Sequence, residues 1–219
     1  MNARADRLRE ELDNDHWPPP LDLRALARTE PHAPHFIVDD WLPAGYATLI
    51  AGHGGAGKSW IALYLAVCIA LGLPWMGIPT QRRRVLFLSC EDRVDVLHLR
   101  LARICAHLGV DLAMLAGHLD VLDLVGIDAI LWTPRVIDTD EVTRAYRALR
   151  EAMTTTGAEV LMVDGISDTY GGGENVRAEV RAFIASLLAL VDPERGAVLL
   201  LGHIDKATAN SGVNGNPKF

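Results

Sequence analysis

Gly52-His53-Gly54-Gly55-Ala56-Gly57-Lys58-Ser59 decides the reading of this chain. The stretch fits G-x-x-x-x-G-K-[ST] without a mismatch. Before it, Tyr46-Ala47-Thr48-Leu49-Ile50-Ala51 predicts a buried strand; after it, Trp60 to Leu71 predicts a buried helix. A strand, a glycine loop and a helix in that order form a phosphate cradle. Glycines let the backbone wrap closely with its N–H groups pointing inward, at the positive end of a helix. Gly54, Gly55, Ala56, Gly57 and Trp60 are expected to line the cradle, with Lys58 reaching the β- and γ-phosphates of ATP. The Ser59 hydroxyl is expected to ligate Mg²⁺. An ordinary glycine turn is the alternative, and the flanking strand and helix count against it.

Composition supports one soluble domain with a short appended arm. The chain has 219 residues, half of them hydrophobic and only 6% aromatic, as in an Ala/Leu/Val-rich α/β interior. A formal charge of −7 argues against a broadly basic coat for nucleic acid, though a few basic residues can still line a narrow channel. Cys68, Cys90 and Cys105 make no C-x-x-C pair, so a reducing cytoplasm is the expectation. Trp60 to Leu71 is too short to span a bilayer. The charged N-terminus shows no apolar signal-peptide core.

Residues 1 to about 40 read as an arm: a short charged helix over Ala3–Leu12, an extended His16-Trp17-Pro18-Pro19-Pro20, then breaks at Pro31 and Pro34. It is either a disordered leader or a segment that packs on a neighbouring subunit. From Tyr46 onward strand and helix patterns alternate, which predicts a mostly parallel sheet with helices on both faces. Arg84–Ser89 is a second core strand. Asp92 is placed to cap a helix with Leu97, Leu101, Ile104 and Leu108 on one face. His118–Val125 is a further strand. Asp138 with Glu141 resembles a capping box for a helix that buries Val142, Tyr146, Leu149 and Met153 and stops at Gly157. Glu159–Asp164 is a fully buried strand, followed by a helix with Val176, Val180, Phe183, Ile184 and Leu187 inward and a strand over Ala197–Leu201. Ala207–Phe219, rich in Gly, Asn and Ser, reads as a mobile loop, and a chain ending there implies a fold that continues beyond it.

The chemistry gathers at strand ends, where α/β proteins bind ligands. Asp164 closes the most hydrophobic strand, as a Mg²⁺-holding acid should. The next residue is Gly165 and not Glu, so the base that activates water must come from elsewhere. Glu91, just past the second strand, is the best candidate, with Asp168 next. His203 is placed to hydrogen-bond the γ-phosphate; a core histidine or a metal ligand are its rival readings. Gly171-Gly172-Gly173-Glu174-Asn175 reads as a channel-facing loop or a flexible lead into the next helix. For Arg82-Arg83-Arg84, solvated charge beside an apolar strand is a better reading than phosphate-backbone contact.

Together these residues resemble the RecA-type, AAA-family P-loop ATPases, most closely the plasmid RepA-like hexameric helicases and more distantly DnaB. The resemblance covers Trp41-Leu42-Pro43-Ala44-Gly45, the glycine loop, Glu91-Asp92, Asp164 and Gly202-His203-Ile204-Asp205-Lys206. It implies a RecA-like core over 41–206, C-terminally incomplete, with Glu91 as catalytic base and His203 as γ-phosphate sensor. It also implies that Arg100 is an arginine finger reaching the ATP of an adjacent subunit, against the plainer reading of a solvent-facing helix arginine; Lys206 is a weaker candidate. The implied assembly is a homo-oligomer, a hexameric ring acting on single-stranded DNA in plasmid or phage replication, with no membrane partner. A regulatory or recombination-type RecA-fold ATPase that couples ATP to assembly without unwinding is the alternative. His53 stands where partition ATPases of the ParA/MinD type carry a lysine, which argues against that class. No arginine-rich lid of a small-molecule kinase is recognisable.

Overall fold

The computed structural model describes residues 20–31, 33–134, 142–173, 175–204 and 217–218. Contacts divide the chain into Met1–Ala33 and Pro34–Phe219. In the first unit, helix α1 (Leu23–Leu26) is capped by Asp22, whose carboxylate accepts from the amides of Arg24 and Ala25 at 2.9 and 3.1 Å. The expected helix over Ala3–Leu12, and residues 16–19 of the extended run, lie outside the described residues. The second unit begins before position 40. In it, strand β1 (Phe36–Val38) pairs antiparallel with β2 (Leu42–Pro43), and Ile37, Val38 and Leu42 are buried in the core.

There follow β3 (Ala47–Gly52), α2 (Lys58–Leu71), β4 (Val85–Ser89), α3 (Val94–Leu108), β5 (Leu119–Asp123) and α4 (Arg144–Thr156). Then come β6 (Val160–Asp164), α5 (Ile166–Thr169), α6 (Arg177–Leu188) and β7 (Ala197–Ile204). Five strands run parallel in the order β3-β7-β6-β4-β5. The inner strands β4 and β6 are buried at every position because helices cover both faces. Alternation sends Val85, Phe87, Val160 and Met162 to the face covered by α2. Leu86, Leu88, Leu161 and Val163 go to the face covered by Leu149 and Met153 of α4 and Phe183 and Leu187 of α6. Truncating Phe87 or Phe183, both fully buried, would cost about 3–5 kcal/mol.

Several boundaries differ from the sequence reading. Strand β3 is not buried: it borders the parallel sheet, one edge on β7, and none of its residues is fully covered. Strand β7 runs on to Ile204, so His203 lies on the strand and not beyond it. Helix α4 starts at Arg144 because the Thr143 hydroxyl accepts from the Tyr146 amide (3.0 Å); Val142 stays outside the helix, and Asp138 and Glu141 lie outside the described residues. Its stop at Gly157, left-handed at φ +63°, is as expected. The run after β6 is broken into α5 and α6, which leaves Val176 exposed at an N-cap. Within the tail read as a loop, β8 (Pro217–Lys218) pairs antiparallel with His203–Ile204; positions 205–216, Asp205 and Lys206 among them, lie outside the described residues.

The register sets up the site. Gly52 lies opposite His203, Leu201 opposite Asp164, and Asp164 opposite Ser89. The carboxyl ends of β3, β7, β6 and β4 therefore form one rim, reached by residues from four separate stretches of chain.

Candidate nucleotide site

At the rim, the loop after β3 turns on left-handed Gly55 (φ +76°) and Gly57 (φ +82°), where a side chain would strain the backbone. A Cβ at Gly54, Gly55 or Gly57 would enter open space, so these glycines serve the chain path and the room above it, not packing. The Ala56 amide turns back to the His53 carbonyl (3.2 Å), and the Ile61 amide opens the helical ladder on Gly57 (3.0 Å). The amides of Lys58, Ser59 and Trp60 precede that ladder, at the positive end of α2.

Lys58 is folded along the loop and only 9% exposed. Its Nζ donates to the carbonyls of Gly52 and His53, each at 3.0 Å, and lies 3.4 Å from His203 Nδ1. On the other side of that ring, His203 Nε2 is 2.9 Å from Glu91 Oε1. A neutral imidazole protonated at Nε2 fits both neighbours, donating to the carboxylate and accepting from the ammonium. Lys58, His203 and Glu91 thus form one continuous polar row, from positions far apart in sequence. Glu91 faces the cradle.

Asp164 is 2% exposed, and its Oδ2 has no hydrogen-bond partner among the described residues. Burial pushes its carboxyl up to about 6; the Ser59 hydroxyl and the Arg100 guanidinium oppose the rise, while Glu91 and Asp92 add to it. A buried carboxylate oxygen left without a partner, beside a serine at a helix N-terminus, fits Mg²⁺. That ion takes one or two protein oxygens and fills its remaining positions with phosphates and water. Among the described residues no group of three His, Cys, Asp or Glu side chains could hold a metal alone. Burial likewise pushes the Cys90 thiol up to about 11, so it stays protonated and unreactive at the rim.

Some of the site was not visible in the sequence. A Cβ on Gly165 would stand 3.2 Å from Glu91 Oε1 and 3.6 Å from Asp168 Oδ2, so the glycine in the place of a second acid keeps a gap between those carboxylates. Asp92 does not cap α3. Its carboxylate is ion-paired to Arg100, and the first amide of α3, that of Val94, is taken by Asp123 from the end of β5 (2.9 Å). Arg100 is not a free helix arginine either: it pairs with Asp92 and lies 5.9 Å over the ring of Trp60, the residue after Ser59.

Two other stretches have partners of their own. Gly171-Gly172-Gly173 is tied down, with the Gly171 amide on Trp132 O (2.8 Å), the Gly173 amide on Glu179 Oε2 (2.7 Å) and the Tyr170 hydroxyl on Gly173 O (3.1 Å). Glu174 lies outside the described residues. The run Arg82-Arg83-Arg84 bonds at the opposite rim of the sheet, each residue to a backbone carbonyl of the chain.

A glycine cradle at a helix N-terminus, a buried strand-end acid and a parallel sheet with helices on both faces define a RecA-like P-loop ATPase. The chain belongs to the AAA domain family, whose profile matches residues 14–209. It is also 32% identical over 178 residues to the DNA repair protein RadA of Mycolicibacterium smegmatis; the match covers 80% of this chain and 32% of RadA. The chain therefore spans about a third of that relative's length. P-loop ATPases bind a nucleotide, usually with Mg²⁺. Among the described residues no helix is long and apolar enough to cross a membrane.

Proposed function

We propose that this chain hydrolyses ATP with Mg²⁺ and couples the cycle to single-stranded DNA as part of a homo-oligomer. The observation that carries the hydrolytic part is the row Lys58–His203–Glu91 beside the partnerless oxygen of Asp164. Loop amides and Lys58 take the triphosphate, Lys58 exchanging the carbonyls of Gly52 and His53 for phosphate oxygens. Glu91 orients the attacking water toward the γ-phosphorus, and Gly165 leaves space in front of it. His203, between Lys58 and Glu91, registers the γ-phosphate and carries its loss along β7. Held by Ser59 and Asp164, Mg²⁺ would supply positive charge to the β- and γ-phosphate oxygens.

Two finer readings divide the biological role. The resemblance to RepA-like proteins supports a hexameric ring helicase of plasmid or phage replication. Likeness to a protein named for DNA repair favours a second reading, a RecA-fold ATPase that couples ATP to assembly on DNA without unwinding it. A cytoplasmic setting belongs to both, in keeping with three free cysteines. Steady-state ATPase with and without single-stranded DNA, a mass measurement with a non-hydrolysable analogue, and a strand-displacement assay test them together. Stimulation, a ring-sized mass and displacement support the helicase. Stimulation and assembly without displacement support the second reading, and absence of ATP turnover removes both.

A further inference from the structure

We propose that Arg100 serves the nucleotide site of its own chain, held over Trp60 by Asp92. The inference rests on the ATPase reading above and names the arginine that compensates charge at that site. Its supports are all anchored to the rim. Asp92 and Arg100 are ion-paired, with 16% and 24% of their side chains exposed, and the guanidinium carbon lies 5.9 Å from the centroid of the Trp60 ring. Trp60 follows Ser59 in the first turn of α2, directly after the glycine loop.

Asp92 is fixed in turn by Ser89, a fully buried residue in register with Asp164. The Ser89 Oγ accepts from the Asp92 amide (3.2 Å) and donates to the Asp92 carbonyl (3.0 Å), as a single hydroxyl can. The start of α3, which carries Arg100, is held by Asp123. Arg100 is thus held at its guanidinium and through its helix within one chain. To act as a finger on another subunit it must leave both the carboxylate and the indole, stranding a mostly buried Asp92 without its counter-charge. A guanidinium has donors enough to keep one carboxylate and meet a phosphate oxygen as well. Asp92 is then the positioning residue for Arg100.

Mixing experiments separate action within a chain from action across a subunit boundary. Arg100→Ala is expected to lower kcat on the order of 100-fold, with KM changed by no more than about threefold. Mixed with Lys58→Ala chains, which keep Arg100 but lack the cradle lysine, it should show no more turnover than alone. Recovery of turnover in the mixture would show the arginine acting across the boundary and overturn the proposal, as would a wild-type kcat in Arg100→Ala. Asp92→Asn supplies the second variant: kcat is expected to fall on the order of tenfold at unchanged KM, a split that mere loss of a structural tie would not produce.

The emission of Trp60, taken as wild type minus Trp60→Phe, gives a readout independent of turnover. It should change on adding Mg²⁺ with a non-hydrolysable ATP analogue, and that change should vanish in Arg100→Ala. If the wild type binds the analogue but never hydrolyses ATP, the ATPase reading fails and this signal still decides. Its dependence on Arg100 upholds the placement, and its persistence without Arg100 overturns it.

Discussion

At one rim of the sheet Arg82, Arg83 and Arg84 stand in a row before β4; at the other, Lys58 and Arg100 are far apart in sequence, Lys58 beside His203 and Arg100 paired with Asp92. The row looks like the better anion site, yet it sits where helices end. Arg82 Nε donates to the Ala70 carbonyl in the last turn of α2 (3.3 Å), and Arg84 Nη1 to the Thr156 carbonyl at the end of α4 (3.1 Å). Arg83 bonds the Arg195 carbonyl (3.1 Å), and Glu159 draws in Arg195 at 2.9 Å. These arginines meet the negative ends of helix dipoles and orphan carbonyls. The opposite rim gathers the first amides of α2, the end of a helix that favours an anion, with far less basic charge. In a parallel sheet the polarity of the helices decides which rim takes an anion, and the density of arginine does not.

That contrast can be broken by mutation, and the largest effect is expected at Lys58. Lys58→Ala should reduce nucleotide affinity and turnover by at least about 100-fold, read by calorimetric titration with an ATP analogue and by phosphate release. Wild-type affinity in that variant would move the phosphate away from this rim. Next comes Glu91→Gln, expected to keep ATP affinity while kcat falls about 100- to 10,000-fold. Normal turnover there would shift the base to another residue, Asp168 first.

Asp164→Asn should abolish Mg²⁺-dependent binding and yet stabilise the nucleotide-free protein. The carboxyl is raised from about 3.9 in an unfolded chain to about 6 in the fold, so ionisation is disfavoured by folding. Its contribution is therefore fully present below about pH 4, is lost as pH rises through 6, and stays lost at neutral pH. Denaturant melts should show the variant ahead by about 2–3 kcal/mol at pH 7 and level with wild type near pH 4. Equal stability at both pH values would remove the cost assigned to this buried acid. The smallest effect belongs to the other rim. Arg84→Ala should lower stability by about 0.5–1 kcal/mol and leave kcat at the wild-type value; a drop in turnover would join the two rims.

Local chemistry was legible in the sequence, and long-range pairing was not. The cradle could be read because one short stretch contains its turn, its cation and its hydroxyl. Asp164 and Glu91 could be placed because hydrophobic runs mark core strands and acids at their ends stand out. Asp92 could not be separated from a helix cap, because its partner Arg100 lies nearly two turns inside α3 while the real support, Asp123, comes from β5. Gly165 reads as a missing base until its neighbours are known; the space it leaves beside Glu91 is a tertiary property. The half-covered β3 likewise follows from strand order, which no window of residues contains. The Thr143 hydroxyl sets the start of α4 at Arg144, since one well-aimed hydroxyl suffices for a cap.

The most direct test follows the ring nitrogens of His203 by ¹⁵N NMR, assigned by loss of signal in His203→Gln. If the terminal phosphate lies between Lys58 and Glu91, Mg²⁺ with a non-hydrolysable ATP analogue should shift Nδ1 and Nε2, while Mg²⁺ with ADP leaves them near their nucleotide-free positions. Identical shifts with both nucleotides, or none with either, would place the γ-phosphate away from the Lys58–His203–Glu91 row.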